Sequence, residues 1–210
     1  LLALLDPLTL LRGELLAFLD ADDIFLPDKL TRQVGLLQDQ AETVMVYGNT
    51  EYWVSWEPDR SLLQRDRLGR LGVATGRVCP PPLLLEAWLR KPGIVPCICA
   101  LLARRATAVA CGGFDESIQD MYEDQVFLAK MVLAGPVLVE PGCGERYRQH
   151  VGSTSARAIE DQRYHPTRSG NLDLARPGHC RPSRCRPRRC RRTTRRRGRR
   201  AATEPGFAAG

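Results

Sequence analysis

The chain has 210 residues and a formal net charge of +7, which is distributed very unevenly. Residues 176–210 contain 13 of the 31 Lys and Arg residues and one acid, Glu204, whereas residues 1–175 contain 23 of the 24 acids. No apolar run approaches the roughly 18 residues of a membrane-spanning helix, so no transmembrane segment is expected. The composition therefore predicts one mildly acidic folded domain over residues 1–160, followed by a basic tail.

The first predicted element is a strand formed by "LLAFL" (15–19), whose apolar residues on both faces indicate burial between two layers. A helix follows, with Pro27 in its first turn and Asp28 near its positive end. Its apolar stripe is predicted to consist of Leu30, Val34 and Leu37.

The segments that follow alternate between strands and helices. They are a strand at "TVMVYG" (43–48) ended by glycine, helices over residues 82–91 and 123–135, and a strand at "PVLVE" (136–140). This alternation predicts a layered α/β domain. In such sheets, ligands bind beyond the carboxyl ends of the strands.

Three carboxylates, Asp20, Asp22 and Asp23, follow directly after the "LLAFL" strand. In an extended segment Asp20 and Asp22 point to one side while Asp23 turns away. Two neighbouring carboxylates either share a proton or hold a cation, and oxygen ligands suit Mg²⁺ or Mn²⁺ together with substrate phosphates. Taken alone, the cluster is equally consistent with a solvated turn.

The cysteines of the body have no spacing typical of metal ligands and are expected to be reduced thiols. They are Cys79, Cys97, Cys99, Cys111 and Cys143. The Arg/Pro/Cys-rich tail (161–210) is of low complexity, and we expect it to be disordered. Three interpretations of the tail remain open: a basic arm that binds nucleic acid or an anionic surface through residues 176–200, a zinc knuckle, or a spurious extension. The knuckle ligands would be His179, Cys180, Cys185 and Cys190.

Five short segments occur in one order along the body. They are "RGELLAFLDADDIFLPDKL" (12–30), "VYGN" (46–49), "GGFDES" (112–117), "MYEDQVFLAK" (121–130) and "YRQHVGSTS" (147–155). Their order and separation resemble those of the family 2 glycosyltransferases. The resemblance implies an α/β, GT-A-like (nucleotide-diphospho-sugar transferase) layered domain. It also implies inverting transfer of a sugar from a nucleotide-diphosphate donor to an acceptor hydroxyl, with Mn²⁺ or Mg²⁺ as cofactor.

The resemblance assigns the segment with Asp20, Asp22 and Asp23, here called the acidic loop, to binding of the sugar donor. Asp20-Ala21-Asp22 is similar to the DXD motif of the family, in which Asp22 would bind the metal ion and Asp20 would lie nearer the nucleotide. Asp23 would support this nucleotide-sugar site, and His150 would make a further metal or phosphate contact. Without the resemblance, His150 is better interpreted as a surface or hydrogen-bonded histidine.

The resemblance assigns later residues to the acceptor. Asp124 would be the catalytic base, with Glu123 beside it, and Gly113 in "GGFDES" would border the acceptor, a saccharide or a lipid-linked sugar. The alternative interpretation is that Glu123 and Asp124 only stabilise a helix N-terminus. Gly113 could likewise serve only a turn.

The sequence also departs from the family pattern. Nothing like the family's first strand, "VSVIIPTYN", precedes Arg12, so we expect a domain that is incomplete at the N-terminus and a poor catalyst as it stands. The motif "QxxRW" is absent, which favours transfer of a single sugar. A cytoplasmic location is expected, with peripheral attachment to the inner membrane face as a variant. Two other functions remain open: binding of nucleic acid through the tail, and a non-catalytic remnant.

Overall fold

A computed structural model describes residues 7–57, 65–118 and 122–161. The tail predicted over residues 161–210, with its alternative zinc knuckle, lies outside these residues except for Asp161. None of the helices in the described ranges combines the length and the hydropathy needed to cross a membrane.

A seven-stranded mixed sheet forms the middle of the domain. Its strands are β1 (Leu15–Ala17), β2 (Ile24–Phe25), β3 (Met45–Trp53), β4 (Arg67–Leu68), β5 (Arg77–Cys79), β6 (Leu101–Arg104) and β7 (Val137–Arg148). Five strands follow the order β1-β6-β3-β7-β2, while β4 pairs with β3 and β5 pairs with β7. The β3–β7 pair is parallel, and the other pairs are antiparallel. The two longest strands, β3 and β7, therefore form the centre of the sheet.

Helices cover both faces of this sheet. They are α1 (Pro7–Leu10), α2 (Lys29–Asp39), α3 (Leu83–Arg90), α4 (Arg105–Ala110), α5 (Glu123–Ala134) and α6 (Thr154–Glu160), with 3₁₀ turns at Pro92–Ile94 and Ile98–Ala100. Met45 and Tyr47 of β3 pack into the core formed with α3 and α5, whereas Val46 packs against Leu37 of α2 on the other face. The result is the layered arrangement expected from the sequence, with α3 and α5 at the predicted positions.

The first strand differs from its prediction. β1 has three residues, of which Leu16 is buried and Ala17 is exposed, and Leu19 beyond its end is 49% exposed. Within the described residues, β1 lies at the edge of the sheet and pairs with β6 alone. Leu16 packs into the main core on one face, whereas on the other face Leu15 is only partly buried against the cluster around Leu37, so the prediction of full burial on both faces was wrong.

The strand predicted at "TVMVYG" does not end at Gly48 but continues to Trp53. A Cβ at Gly48 would lie 2.5 Å from the carbonyl oxygen of Gly142 on β7 and 3.0 Å from the Glu140 side chain. The register between β3 and β7 shifts on both sides of Asn49, as it does at a β-bulge. The glycine therefore marks a close approach of two backbones inside a strand, and β7 likewise continues well beyond Glu140.

The buried face of α2 is largely polar. Lys29 and Gln33 are 0% exposed and Leu37 is 1% exposed, whereas Leu30 is 42% exposed. The helical period was predicted correctly, but the predicted apolar stripe was wrong at Leu30. The buried face of α2 is rotated relative to the predicted stripe because its polar residues contact side chains of β7.

These polar residues form a connected network beneath α2. Lys29 Nζ lies 3.3 Å from Glu145 Oε2 and donates a hydrogen bond of 3.1 Å to Gln33 Oε1. Gln33 Nε2 donates to Glu140 Oε1 at 2.7 Å, and Arg32 Nε donates to Glu140 Oε2 at 2.6 Å. Burial lowers the pKa of Lys29 and raises the pKa of Glu145, and the attraction between the two charges opposes both shifts. The network fixes where α2 lies on β7.

We expect Lys29→Met to lower the free energy of unfolding by about 3–5 kcal/mol, because it leaves Glu145 buried without its cation. Urea denaturation measures this change. Arg90→Met is the matched control, since it removes an exposed i,i+4 ion pair with Glu86 and should cost about 0–1 kcal/mol. Equal stability of the two variants would show that the buried pair does not hold α2.

Two glycine substitutions should change stability in opposite directions. Gly48→Ala should destabilise the fold by about 1–3 kcal/mol, because the new methyl group meets the backbone of β7. Gly35→Ala should stabilise it by about 0.8–1 kcal/mol, since Gly35 lies inside α2 and a Cβ there meets nothing within 4 Å. Thermal unfolding of both variants compares the effects, and a Gly48→Ala protein as stable as the wild type would contradict the close approach.

Candidate active site

Four segments that are far apart in the sequence converge on one pocket of about 540 Å³. It is lined by Asp20 and Asp22 after β1, residues 122–125 at the start of α5, Tyr147 and His150 near the end of β7, residues 152–155, and Cys97 with Ile98. The fold therefore brings together most of the residues that the sequence singled out.

Asp22 and His150 are in direct contact at this pocket. His150 Nε2 lies 2.8 Å from Asp22 Oδ2, and the side chains are 29% and 44% exposed. The Trp56 ring packs edge-on against the imidazole, with a centroid separation of 6.4 Å. Because β7 ends just before His150, the position of this histidine relative to the acidic loop is set by the sheet.

Asp20 lines the same pocket and lies close enough to Asp22 and Glu123 to feel both of their charges. Partial burial raises the pKa of Asp20, and the negative charges of Asp22 and Glu123 raise it further. The negative charges that raise the pKa of Asp20 would also stabilise a bound cation beside it.

Asp23 does not line the pocket, although residues 20–23 are not the extended segment that was predicted: they form a turn closed by a hydrogen bond of 3.1 Å from the Asp23 N–H to the carbonyl oxygen of Asp20. Its side chain is 8% exposed, and Oδ1 accepts a hydrogen bond of 2.9 Å from the backbone N–H of Arg148. Arg148 Nε in turn donates to the carbonyl oxygen of Asp22 at 2.8 Å. The structure therefore does not bring Asp23 to the pocket with Asp20 and Asp22, and it gives Asp23 a contact that holds the acidic loop against β7.

Glu123 and Asp124 begin α5 directly after Tyr122, whose backbone is left-handed with φ of 72°. Asp124 Oδ1 accepts a hydrogen bond of 2.7 Å from the backbone N–H of Gln125. Burial, followed by the charge of Glu123, raises the pKa of Asp124 to about 6. A half-buried carboxyl group with this pKa at a pocket wall is suited to accept a proton near neutral pH.

Gly113 lies outside the set of residues that line the pocket. Its φ of 56° follows a φ of 78° at Gly112, and its N–H donates to the carbonyl oxygen of Ala108 at 3.0 Å. This left-handed pair ends α4 and supports the turn interpretation, since glycine adopts such a conformation without strain.

The sequence assigned no role to several residues that the structure places at the pocket. Tyr147 and the residues from Ser153 to Ser155 line it, and all belong to the segment "YRQHVGSTS". Next to them, the Arg148 guanidinium lies 5.0 Å from the Trp53 ring and 4.8 Å from the Trp56 ring. The strand was predicted over residues 136–140 only. A predicted strand that continued to Arg148 would have placed the side chains of Tyr147 and Arg148 on opposite faces of the sheet.

Comparison with known families gives one match. The model of Glycosyl transferase family 2 matches residues 3–109, just over half of the chain. No curated protein matches the chain. The matched range contains the acidic loop and "VYGN", and it ends before Glu123, Asp124 and His150. The placement of those three residues at the pocket is therefore an observation separate from the family match.

Proposed function

Because the chain belongs to glycosyl transferase family 2, whose members have the GT-A nucleotide-sugar transferase fold, we propose that this pocket catalyses inverting sugar transfer. The donor is a nucleotide-diphosphate sugar, and the acceptor is a hydroxyl group of a saccharide or of a lipid-linked sugar. The observation that carries the proposal is the convergence of Asp20, Asp22 and His150 with Glu123 and Asp124 in one pocket.

The chemistry of the donor set fits a divalent cation, Mn²⁺ or Mg²⁺. Asp22 offers a half-exposed carboxylate, Asp20 offers a second one, and His150 offers an imidazole nitrogen close to Asp22. Magnesium typically takes one or two carboxylates and completes its shell with water and substrate phosphates. Asp22 and Asp20 would hold the ion, with His150 beside them. When bound, the ion supplies positive charge that neutralises the diphosphate as it leaves.

The side chains of this pocket have distinct tasks in the reaction. The acceptor oxygen forms a bond to the anomeric carbon while the bond from that carbon to the diphosphate oxygen breaks. The proton of the acceptor hydroxyl passes to the Asp124 carboxylate. Attack from the face opposite the leaving group inverts the anomeric configuration. Glu123, on the exposed side of Asp124, borders the acceptor and raises the pKa of the base.

In a version that also carries an N-terminal strand like that of the family, Asp22→Ala should abolish the dependence of nucleotide binding on the metal ion. Titration calorimetry would measure the affinity for a nucleoside diphosphate with and without Mn²⁺. In the wild type Mn²⁺ should increase that affinity, because the ion joins the acidic loop to the phosphates. Asp39→Ala, which removes an exposed acid at the end of α2, should behave like the wild type. An unchanged Mn²⁺ effect in Asp22→Ala would contradict the assignment of the acidic loop.

In a version that also carries an N-terminal strand like that of the family, Asp124→Asn should lower turnover by about 10²–10⁴-fold while leaving donor affinity nearly unchanged, because the lost group acts on the acceptor. The measurement is release of nucleoside diphosphate from the donor. Wild-type turnover should rise as pH increases through about 6, where Asp124 loses its proton, and this rise should be absent from the residual activity of Asp124→Asn.

Glu123→Gln is the matched control for the base, and it should have the milder effect. It should also shift the acidic limb of the wild-type profile to lower pH, since it removes a charge that raises the pKa of Asp124. Equal turnover of wild type and Asp124→Asn would leave Asp124 as an acid that only stabilises the start of α5.

A further inference from the structure

Beside the pocket, two cysteines and one aspartate form a second cluster of ligand atoms. The sulfur and carboxylate oxygen atoms of Asp23, Cys97 and Cys99 all lie within 4.8 Å of one another. Cys99 is fully buried, and its thiol donates to the Cys97 sulfur at 3.0 Å. Among the described residues, this is the group of three such side chains that is close enough to share one metal ion.

An unpaired carboxylate oxygen is the second observation that points to a ligand. Oδ1 of Asp23 is satisfied by the N–H of Arg148, whereas the buried Oδ2 accepts no hydrogen bond of ordinary geometry within the described chain. The Cys99 thiol, which donates to the Cys97 sulfur, is the neighbouring polar group that stabilises the charge of this carboxyl group. A buried carboxylate oxygen with no well-formed hydrogen bond is costly, and a bound cation would remove that cost.

The local backbone explains why the two sulfur atoms meet. Cys97 is extended, with φ of −65° and ψ of 147°, and it caps the 3₁₀ turn Ile98–Ala100 that carries Cys99. The turn leads directly into β6, so the sheet fixes its position. On the other side, the hydrogen bond from Arg148 fixes Asp23 to the end of β7.

We propose that Asp23, Cys97 and Cys99 bind a thiophilic divalent cation, Zn²⁺, at a site distinct from the carboxylate site of the sugar donor. Zinc binds sulfur at about 2.3 Å and carboxylate oxygen at about 2.0–2.2 Å, so ligand atoms separated by 3.0–4.8 Å can share one ion after small side-chain adjustments. Two thiolates select zinc over Mg²⁺ or Mn²⁺, which prefer oxygen ligands. Cys97 also lines the pocket, so the fourth position is accessible to water from that side.

The ion would connect the acidic loop to the Ile98–Ala100 turn. Asp23 directly follows Asp22, and without the ion the loop is held by the Asp22–His150 contact and by two hydrogen bonds with Arg148. All of these attach the loop to the end of β7, so zinc would add an attachment to a different element. This inference does not depend on sugar transfer, since its ligands and its measurement are independent of the donor.

The experiment uses the full chain with the three tail cysteines replaced by serine, so that thiols outside the described residues do not compete. Zn²⁺ is titrated under reducing conditions against a chromophoric chelator, and Co²⁺ replaces it for absorption spectroscopy. We expect one equivalent of Zn²⁺ to bind. Bound Co²⁺ should show sulfur-to-cobalt charge transfer and the visible bands of tetrahedral coordination.

Cys97→Ser and Asp23→Asn test the ligands individually. Each substitution should lower the Zn²⁺ affinity by more than about 10–100-fold, the loss typical of removing a residue that contacts a metal ligand but not the ion. Cys97→Ser should also reduce the charge-transfer band. Cys111→Ser, a half-buried cysteine outside the cluster, is the matched control and should bind like the parent chain. Circular dichroism verifies that each variant is folded, and Cys97→Ser, at the less buried ligand, remains informative if Asp23→Asn unfolds.

Three results would overturn the proposal. The first is Zn²⁺ affinity in folded Cys97→Ser equal to that of the parent chain. The second is a cobalt spectrum without sulfur ligation. The third is a disulfide between Cys97 and Cys99, found by mass spectrometry in the same reducing buffer, because its formation would consume both thiolates.

Discussion

The structure depends on one buried ion pair, Lys29 with Glu145, and on the hydrogen bonds that surround it. Both side chains are 0% exposed, and Thr50 Oγ1 donates to the second oxygen of Glu145 at 2.8 Å. The network thus joins α2 and β7 to β3, the other central strand. Apolar contacts alone would allow α2 to slide or rotate over the sheet, whereas buried charges are stabilised in one register. Gly144 on β7 leaves the space that the Lys29 stem occupies, since a Cβ there would lie 2.7 Å from its Cγ.

This register also determines the geometry of the pocket. The acidic loop immediately precedes β2 and α2, and the histidine immediately follows β7, so the network that locks α2 to β7 holds both ends of the Asp22–His150 contact. The N–H of Leu26 donates to the carbonyl oxygen of Gly144 at 2.8 Å and continues this attachment between the loop and α2. Lys29 and Glu145 therefore influence the side of the pocket formed by Asp22 and His150 through the backbone, without lining it.

The sequence predicted the family and the α/β fold, and both are confirmed by the family match. It also singled out Asp20, Asp22, Glu123, Asp124 and His150, which the structure gathers in one pocket, although their roles stay predictions. It failed where polar residues are buried, because Lys29 and Gln33 in α2 look solvated until their partners more than 100 residues away are known. It failed again at Gly48, since the close approach of β7 is a tertiary contact that no local pattern records. No local pattern indicated the cluster of Asp23, Cys97 and Cys99, because only the folded chain brings Asp23 next to the two sulfur atoms.

The parallel pairing of β3 with β7 has a consequence for how the chain acquires its structure. Met45 pairs with Val137 and Trp53 with Arg148, so the centre of the sheet joins segments from opposite ends of the domain. Contacts of such large sequence separation require closure of a long loop before they contribute free energy, and they slow folding relative to local hairpins. During synthesis, β1, β3 and β6 emerge from the ribosome before β7 and can pair with one another. The pairing of β3 with β7 can form only after β7 has been synthesised. Until β7 is synthesised, Lys29 lacks its counter-charge Glu145, Gln33 and Arg32 lack Glu140, and the apolar edge of β3 is open to other chains.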